Sequence, residues 1–95
     1  MGDTMKARFE RELYIQEAVR CFSFLMRKKL YANNHKGLWL DCSYRRLLSL
    51  LKDEVKEHAH AKENEPPDNI MLEAADVANF AMMIADLARR KIEEK

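Results

Sequence analysis

Apolar residues recur every three or four positions along most of the chain, which is the spacing of one face of an α-helix. The first such stripe consists of Met5, Phe9, Leu13, Val19, Phe22, Met26 and Leu30. Asp3 or Thr4 is expected to cap this helix, because a short side-chain oxygen accepts a hydrogen bond from a free backbone N–H. The pattern therefore predicts a first helix from Asp3 or Thr4 to Ala32.

Two breaks in the pattern divide the rest of the chain into two further helices. The segment 33–37, Asn-Asn-His-Lys-Gly, suits a helix stop, because asparagine and glycine tolerate the left-handed backbone. A loop is predicted from there to Cys42, and a second helix from its N-cap Ser43 to about Lys62. The Pro-Pro pair at 66–67 then ends that helix, and Asp68 is predicted to cap a third helix that runs to about Glu93.

Composition supports an all-α fold. The 95 residues include only two glycines and two prolines, so the elements must be long, and all-β, Rossmann and P-loop folds are excluded. We predict a single domain spanning residues 1–95, built as an antiparallel bundle of about three long helices. Because so short a chain has little core, we expect homo-oligomerisation to complete the bundle, through Phe22, Phe24 and Leu25 of the first helix.

Charge and targeting signals restrict the partners. The 17 basic and 16 acidic side chains leave a net charge of +1, which gives no broad electrostatic footprint for nucleic acid. The chain shows no signal-peptide pattern and no apolar run long enough to cross a bilayer. Cys21 and Cys42 are interpreted as reduced thiols. We therefore expect a cytoplasmic protein that binds neither nucleic acid nor membrane.

Acidic residues interrupt the apolar stripes of the second and third helices. The inner stripe of the second helix runs from Leu47 into Glu54 and then Glu57 or His58, while the third carries Glu73 and Asp76 among its apolar residues. Acids on a core-facing stripe break the helix pattern, and such violations tend to mark function. Solvated surface acids are the alternative interpretation.

A hairpin of these two helices can bring the four carboxylates of Glu54, Glu57, Glu73 and Asp76 face to face. Residues three apart on a helix are neighbours, and the two pairs lie at similar distances from the proline turn. Four anions in a partly buried site must take up protons or bind cations. An all-oxygen cluster favours hard ions, so we predict a site for Mg²⁺, with Mn²⁺ as a possible substitute.

A di-iron site is the competing metal interpretation. Glu57 and His60 form the E-x-x-H spacing of di-iron carboxylate bundles. Such bundles need a second E-x-x-H, and the third helix offers Glu73 and Asp76 at that spacing instead. We therefore interpret His58 and His60 as surface histidines near a helix end, where they favour the helix dipole.

The paired motif Glu54-x-x-Glu57 and Glu73-x-x-Asp76 resembles the E-x-x-E…E-x-x-D signature of the MazG-like all-α nucleoside-triphosphate pyrophosphatases. The segments 35–43 (HKGLWLDCS) and 73–86 (EAADVANFAMMIAD) resemble a short MazG-like subgroup. The resemblance covers roughly residues 26–87. It implies a helical bundle that forms a dimer or a dimer of dimers, and Mg²⁺-dependent hydrolysis of nucleoside triphosphates to the monophosphate and pyrophosphate. Under this resemblance the four acids are the metal ligands and catalytic residues.

Three further residues are predicted to bind the substrate. Lys36 is expected to contact phosphate, although it could also be a solvated loop lysine. Trp39 could stack on the base or ribose, or plug the loop onto the bundle. Asn79 could bond the nucleotide or belong to a polar network in the core. The alternative to an enzyme is a non-catalytic helical dimer that binds a nucleotide or a protein partner.

Overall fold

The computed structural model describes residues 4–33, 38–60 and 65–94, apart from the side chain of residue 60. It contains three α-helices, α1 (Met5–Ala32), α2 (Tyr44–His60) and α3 (Pro67–Glu93). The described residues include no strand, so the predicted all-helical fold is confirmed. Within the same residues, no helix is long and apolar enough to cross a membrane.

Two of the predicted helix caps are confirmed. The side chain of Thr4 accepts a hydrogen bond of 3.1 Å from the backbone N–H of Ala7, which makes Thr4 the cap of α1. Ser43 accepts an equivalent bond of 3.1 Å from the N–H of Arg46 at the start of α2. Each hydroxyl thus satisfies one backbone donor that has no partner within its helix.

The predicted cap of the third helix is wrong. The N-cap of α3 is Pro66, which makes no side-chain cap bond, and Asp68 lies inside the first turn. A proline at the first helical position has no N–H to satisfy, so Pro67 can begin the helix two residues earlier than an Asp68 cap would. Asp68 there still interacts favourably with the helix dipole.

The predicted stop of α1 is described only at Asn33, because residues 34–37 lie outside the described residues. Asn33 caps the helix with a φ of −105°, outside the left-handed region. Its side-chain amide instead donates a hydrogen bond of 3.1 Å to the carbonyl of Lys29. The asparagine therefore ends the helix through its side chain rather than through its backbone conformation.

Helix α3 is the centre of the fold, since it packs against both α1 and α2, whereas the described parts of α1 and α2 make no comparable approach to each other. Leu47 on α2 and Ala75 on α3 are buried apolar residues, and Asn79 on α3 is the buried polar one among the described residues. The apolar stripe predicted for α3 is half-buried along its length, from Ile70 to Leu87. Burial is therefore concentrated along the stripe that also carries the acids.

The first part of α1 is exposed to solvent in the described structure. From Met5 to Cys21 every residue except Ala7 is exposed, and half-buried side chains begin at Phe22. We call Met5–Cys21 the N-terminal arm. The radius of gyration of 16.7 Å exceeds the value of about 12 Å expected for a compact chain of this length. The arm is one physical reason for this extended shape.

Candidate functional site

A cavity of about 750 Å³ opens where the C-terminal part of α1, the α1–α2 loop, α2 and α3 meet. This volume lies in the range of ordinary small-molecule sites. Most of its wall is apolar, with Leu30, Leu38, Trp39, Leu47, Phe80 and Met83 among the lining residues. Its polar lining includes Lys29, Asn33, Glu54, Asp76 and Asn79. We call this space the central cavity.

Glu54 from α2 and Asp76 from α3 both line the central cavity. One acid from each predicted pair therefore faces the same space. Burial raises the pKa of Glu54 above its ordinary value, and repulsion by the negative charges of Glu57 and Asp76 raises it further. The positive charge of Lys29 opposes this rise in pKa. The neighbouring carboxylates therefore repel one another, and this repulsion disfavours the charged form of Glu54.

Lys29 from α1 neutralises part of this charge. Its ammonium lies 3.3 Å from Oδ2 of Asp76, and both side chains are about seven-tenths covered. The contact joins α1 to α3 at the edge of the cavity. The ammonium group of Lys29 is therefore a cation that the chain itself places beside the acids.

The other two predicted ligands do not line the central cavity. Glu57 is exposed, although it is near enough to Glu54 to raise the pKa of that carboxyl. Oε2 of Glu73 lies 3.4 Å from Nδ1 of His58, a half-buried residue whose side chain is 37% exposed. The structure therefore brings Glu54 and Asp76 to one cavity and pairs Glu73 with a histidine beside it.

The described carboxylates do not form a complete metal site by themselves. In residues 4–33, 38–60 and 65–94, no three side chains of histidine, cysteine, aspartate or glutamate approach closely enough to hold a metal ion on their own. Magnesium in phosphoryl-transfer sites is usually held by one or two carboxylates, with water and substrate phosphates as the other ligands. Glu54 and Asp76 suit such a magnesium–nucleotide site, although they do not form a closed metal cage.

Asn79 combines a structural bond with an unused acceptor. Its amide donates a hydrogen bond of 3.1 Å to the carbonyl of Met26 on α1. Its Oδ1 is buried without a hydrogen-bond partner, although the residue lines the central cavity and is only 4% exposed. Asn79 thus belongs to a polar contact between helices, which was one of its two predicted roles, and it keeps an acceptor for which the described residues supply no donor.

Trp39 lines the cavity from the α1–α2 loop. Its indole N–H donates a hydrogen bond of 2.9 Å to Oδ2 of Asp86 on α3. The loop is therefore tied to the bundle at this residue, as the plug interpretation expects, and the ring is part of the cavity wall. Lys36, the third predicted substrate residue, lies outside the described residues.

Sequence reasoning missed two residues of this region. Lys29 was visible only as one member of the basic run 27–29, and no spacing rule selects it over its neighbours. Asp86 has local partners in Arg89 and Arg90, but its contact with Trp39 joins residues 47 positions apart. Local periodicity does not reveal contacts that depend on tertiary packing.

Comparison with known proteins gives no relative: no family model, no curated protein and no solved structure matches this chain. The resemblance to the MazG-like family therefore stays a prediction.

Proposed function

We propose that the protein is a Mg²⁺-dependent nucleoside-triphosphate pyrophosphohydrolase, which cleaves a triphosphate between its α and β phosphates. One observation carries the proposal. Glu54 and Asp76, from the two predicted acid pairs, line one largely apolar cavity of about 750 Å³ together with Lys29, Trp39 and Asn79. Such a cavity combines anionic groups for a cation, a cationic group for phosphate and an aromatic wall for a base.

An antiparallel hairpin of α2 and α3 is part of the proposal. Glu54 lies near Asp76, and the later residue His58 lies near the earlier residue Glu73. Contacts that advance along α2 while receding along α3 support an antiparallel crossing. They keep all four acids on neighbouring turns of the two helices.

Homo-oligomerisation, as a dimer or a dimer of dimers, is the second architectural part. The N-terminal arm exposes Phe9, Ile15 and Val19, each more than half exposed. Phe24, predicted for the interface, is also exposed, whereas Phe22 and Leu25 are half-buried in the monomer. Exposed apolar surface of this extent is typical of a surface that binds another protein chain.

The acids and Lys29 would contact different parts of the bound Mg²⁺–triphosphate. Glu54 and Asp76 would hold Mg²⁺, which supplies charge neutralisation at the phosphates and lowers the pKa of a bound water when present. Lys29, whose partner Asp76 would then bind the cation, becomes free to contact a phosphate oxygen. Glu57 lies close enough to Glu54 to add negative charge to the same region, whereas Glu73 lies beside His58.

Hydrolysis needs one water and one base. The water oxygen forms a bond to the α-phosphorus, the bond from that phosphorus to the bridging oxygen breaks, and pyrophosphate leaves. Glu54 is a better candidate than Glu57 to accept the proton of the water, through the carboxylate oxygen that would not bind the cation, because Glu54 lines the cavity and Glu57 is exposed. A positioned carboxylate typically contributes about a hundredfold or more to such a step.

The nucleoside part of the substrate would occupy the apolar side of the cavity. The ring of Trp39 offers a stacking surface, and the unpaired Oδ1 of Asn79 offers an acceptor. A cytoplasmic location fits the proposal, since both cysteines are free, as expected in a reducing compartment.

The test is a panel of canonical and modified nucleoside triphosphates, incubated with the protein and Mg²⁺ and assayed for pyrophosphate and monophosphate. We expect release from at least one triphosphate, and loss of activity by at least about a hundredfold in Asp76→Asn. Glu93→Gln is the matched control, because Glu93 is an exposed acid on the same helix that pairs with Arg89. Circular dichroism checks that both variants remain helical.

Absence of pyrophosphate from every triphosphate, with either Mg²⁺ or Mn²⁺, would overturn the enzymatic proposal. The protein would then be better described as a non-catalytic helical oligomer that binds a nucleotide or a protein. Iron bound after aerobic purification would instead support the di-iron interpretation.

A further inference from the structure

The indole of Trp39 is held at a fixed point on α3. Its N–H donates to Oδ2 of Asp86 at 2.9 Å, across 47 positions of sequence. On the loop side, the carbonyl of Trp39 accepts a hydrogen bond of 2.9 Å from the N–H of Cys42, which closes a turn. Both the side chain and the backbone of Trp39 are therefore constrained.

Asp86 is itself held by two arginines. Oδ1 pairs with Arg89 at 2.6 Å, and Oδ2 lies 3.4 Å from Nε of Arg90. Arg90 also reaches the carbonyl of Leu40 in the loop, at 3.5 Å. The carboxylate thus connects the loop to α3 through Trp39 directly and through Arg90.

The side chain of Asp86 is more buried than that of its partner Arg89. The side chain of Asp86 is 17% exposed, whereas that of Arg89 is 57% exposed. Hydrogen bonds from Arg89 and then from Trp39 hold the pKa of Asp86 below its ordinary value, so the acceptor is charged at neutral pH. Charge-assisted hydrogen bonds are roughly twice as strong as neutral ones, which suits a contact that fixes an orientation.

This contact determines what the indole offers to the central cavity. Trp39 lines the cavity, and its polar N–H is already bonded to Asp86. The ring atoms that remain are apolar and planar. A wall of this kind is suited to a flat aromatic group, provided that the ring does not rotate away.

We propose that Asp86 is a positioning residue, which holds the Trp39 indole in the wall of the central cavity and so sets the affinity of the cavity for a nucleobase. The base as ligand rests on the proposed function. The orientation of the indole by Asp86 does not depend on the proposed function. Asp86 acts through Trp39 and touches neither the phosphates nor the scissile bond.

The first experiment needs no nucleotide. Trp39 is the only tryptophan in the sequence, so one indole N–H resonance and one tryptophan emission band report its surroundings. We expect Asp86→Ala to shift the resonance and to increase quenching of the emission by acrylamide. Asp86→Asn keeps an acceptor oxygen and should retain most of the wild-type signal. If Asp86→Ala does not fold, Asp86→Asn still provides a variant in which the indole can be measured.

Glu93→Ala is the matched control, because it also removes a carboxylate partner of Arg89 but leaves the bond between Trp39 and Asp86 intact. Its indole resonance should match the wild type. Equal indole signals in Asp86→Ala and the wild type would overturn the proposal. An equal shift in Glu93→Ala would do the same, because the effect would then come from Arg89.

The second experiment measures nucleoside-triphosphate affinity in a double-mutant cycle. Asp86→Ala should weaken binding about tenfold, as expected for loss of one charge-assisted hydrogen bond. In a Trp39→Phe background, which lacks the indole N–H, Asp86→Ala should cause no further loss. Additive losses would overturn the proposal. If the wild type binds no triphosphate, the proposed function fails, while the indole resonance still decides whether Asp86 orients Trp39.

Discussion

The two parts of α1 carry the same kind of apolar stripe but differ in burial. Val19 in the N-terminal arm is 63% exposed, whereas Phe22, Met26 and Leu30 beyond it are half-buried. The second part packs against α3, which also carries Ala75 and Asn79. Hydrophobic spacing therefore determines which face of a helix seeks a partner, but not whether the same chain provides one. The arm is exposed in the described part of the chain, which is why we propose that a second copy covers it, whereas the central cavity is lined by residues of one chain.

The largest contrast in stability is expected between Leu47→Ala and Leu13→Ala. Leu47 is 1% exposed and Leu13 48% exposed. Removal of the buried side chain should lower the free energy of unfolding by about 2–5 kcal/mol. At protein concentrations too low for self-association, the change for Leu13 should be below about 0.5 kcal/mol. Urea unfolding measures both, and equal losses would contradict the contrast between the exposed arm and the packed region around α3.

A second contrast tests whether the arm binds another copy of the chain. Val19→Asp should raise the dimer dissociation constant at least about tenfold, because a charge would enter an apolar contact. Tyr14→Asp is the matched control, since Tyr14 is also exposed but lies about 140° around the helix from Val19. Sedimentation velocity distinguishes the variants. A wild-type chain that sediments as a monomer at micromolar concentration would contradict the expected oligomer.

A third contrast lies within the packed region, between two acids with opposite pKa shifts. The folded pKa of Glu54 is raised, so its charged form is disfavoured in the native state. The resulting loss of stability is present above the folded pKa and disappears as the pH falls through it toward 4.5. Without divalent cations, Glu54→Gln should therefore raise the urea midpoint at pH 7, and this advantage should vanish near pH 4. A lower urea midpoint for Glu54→Gln than for the wild type at pH 7 would contradict the raised pKa of Glu54.

Asp86 should behave in the opposite way and with a smaller effect. Its folded pKa is lowered from 3.8, so its contribution to stability is present above 3.8 and is lost as the pH falls through the folded value. Asp86→Asn should therefore lower the urea midpoint slightly at neutral pH and leave it unchanged at the most acid pH at which the chain still folds. A difference between the two proteins that persists at that pH would contradict the assignment.

Local rules predicted most of the fold. Helical spacing and side-chain caps gave the three helices, with Thr4 and Ser43 at the predicted starts. The prediction that Asp68 caps α3 is wrong, because Pro66 and Pro67 begin the helix without any side-chain cap. Propensity ranks good caps, but a proline at the first turn removes the need for one.

The candidate site was predictable only in part. The acids on the inner stripes anticipated that Glu54 and Asp76 would line a common cavity. A period of 3.6 residues left Glu57 and His58 equally suited to the next inward position, and the structure has His58 half-buried and Glu57 exposed. The contacts of Lys29 with Asp76 and of Trp39 with Asp86 join distant residues. Such contacts depend on how the helices pack, which the periodicity of one helix does not contain.

The most direct test of the central claim is a crystal structure with Mn²⁺ and a triphosphate analogue that cannot be cleaved between its α and β phosphates. The account predicts an anomalous peak in the central cavity at bonding distance from carboxylate oxygens of both Glu54 and Asp76, with the nucleobase beside Trp39. A cation and nucleotide bound elsewhere, with Asp76 still paired to Lys29, would contradict it.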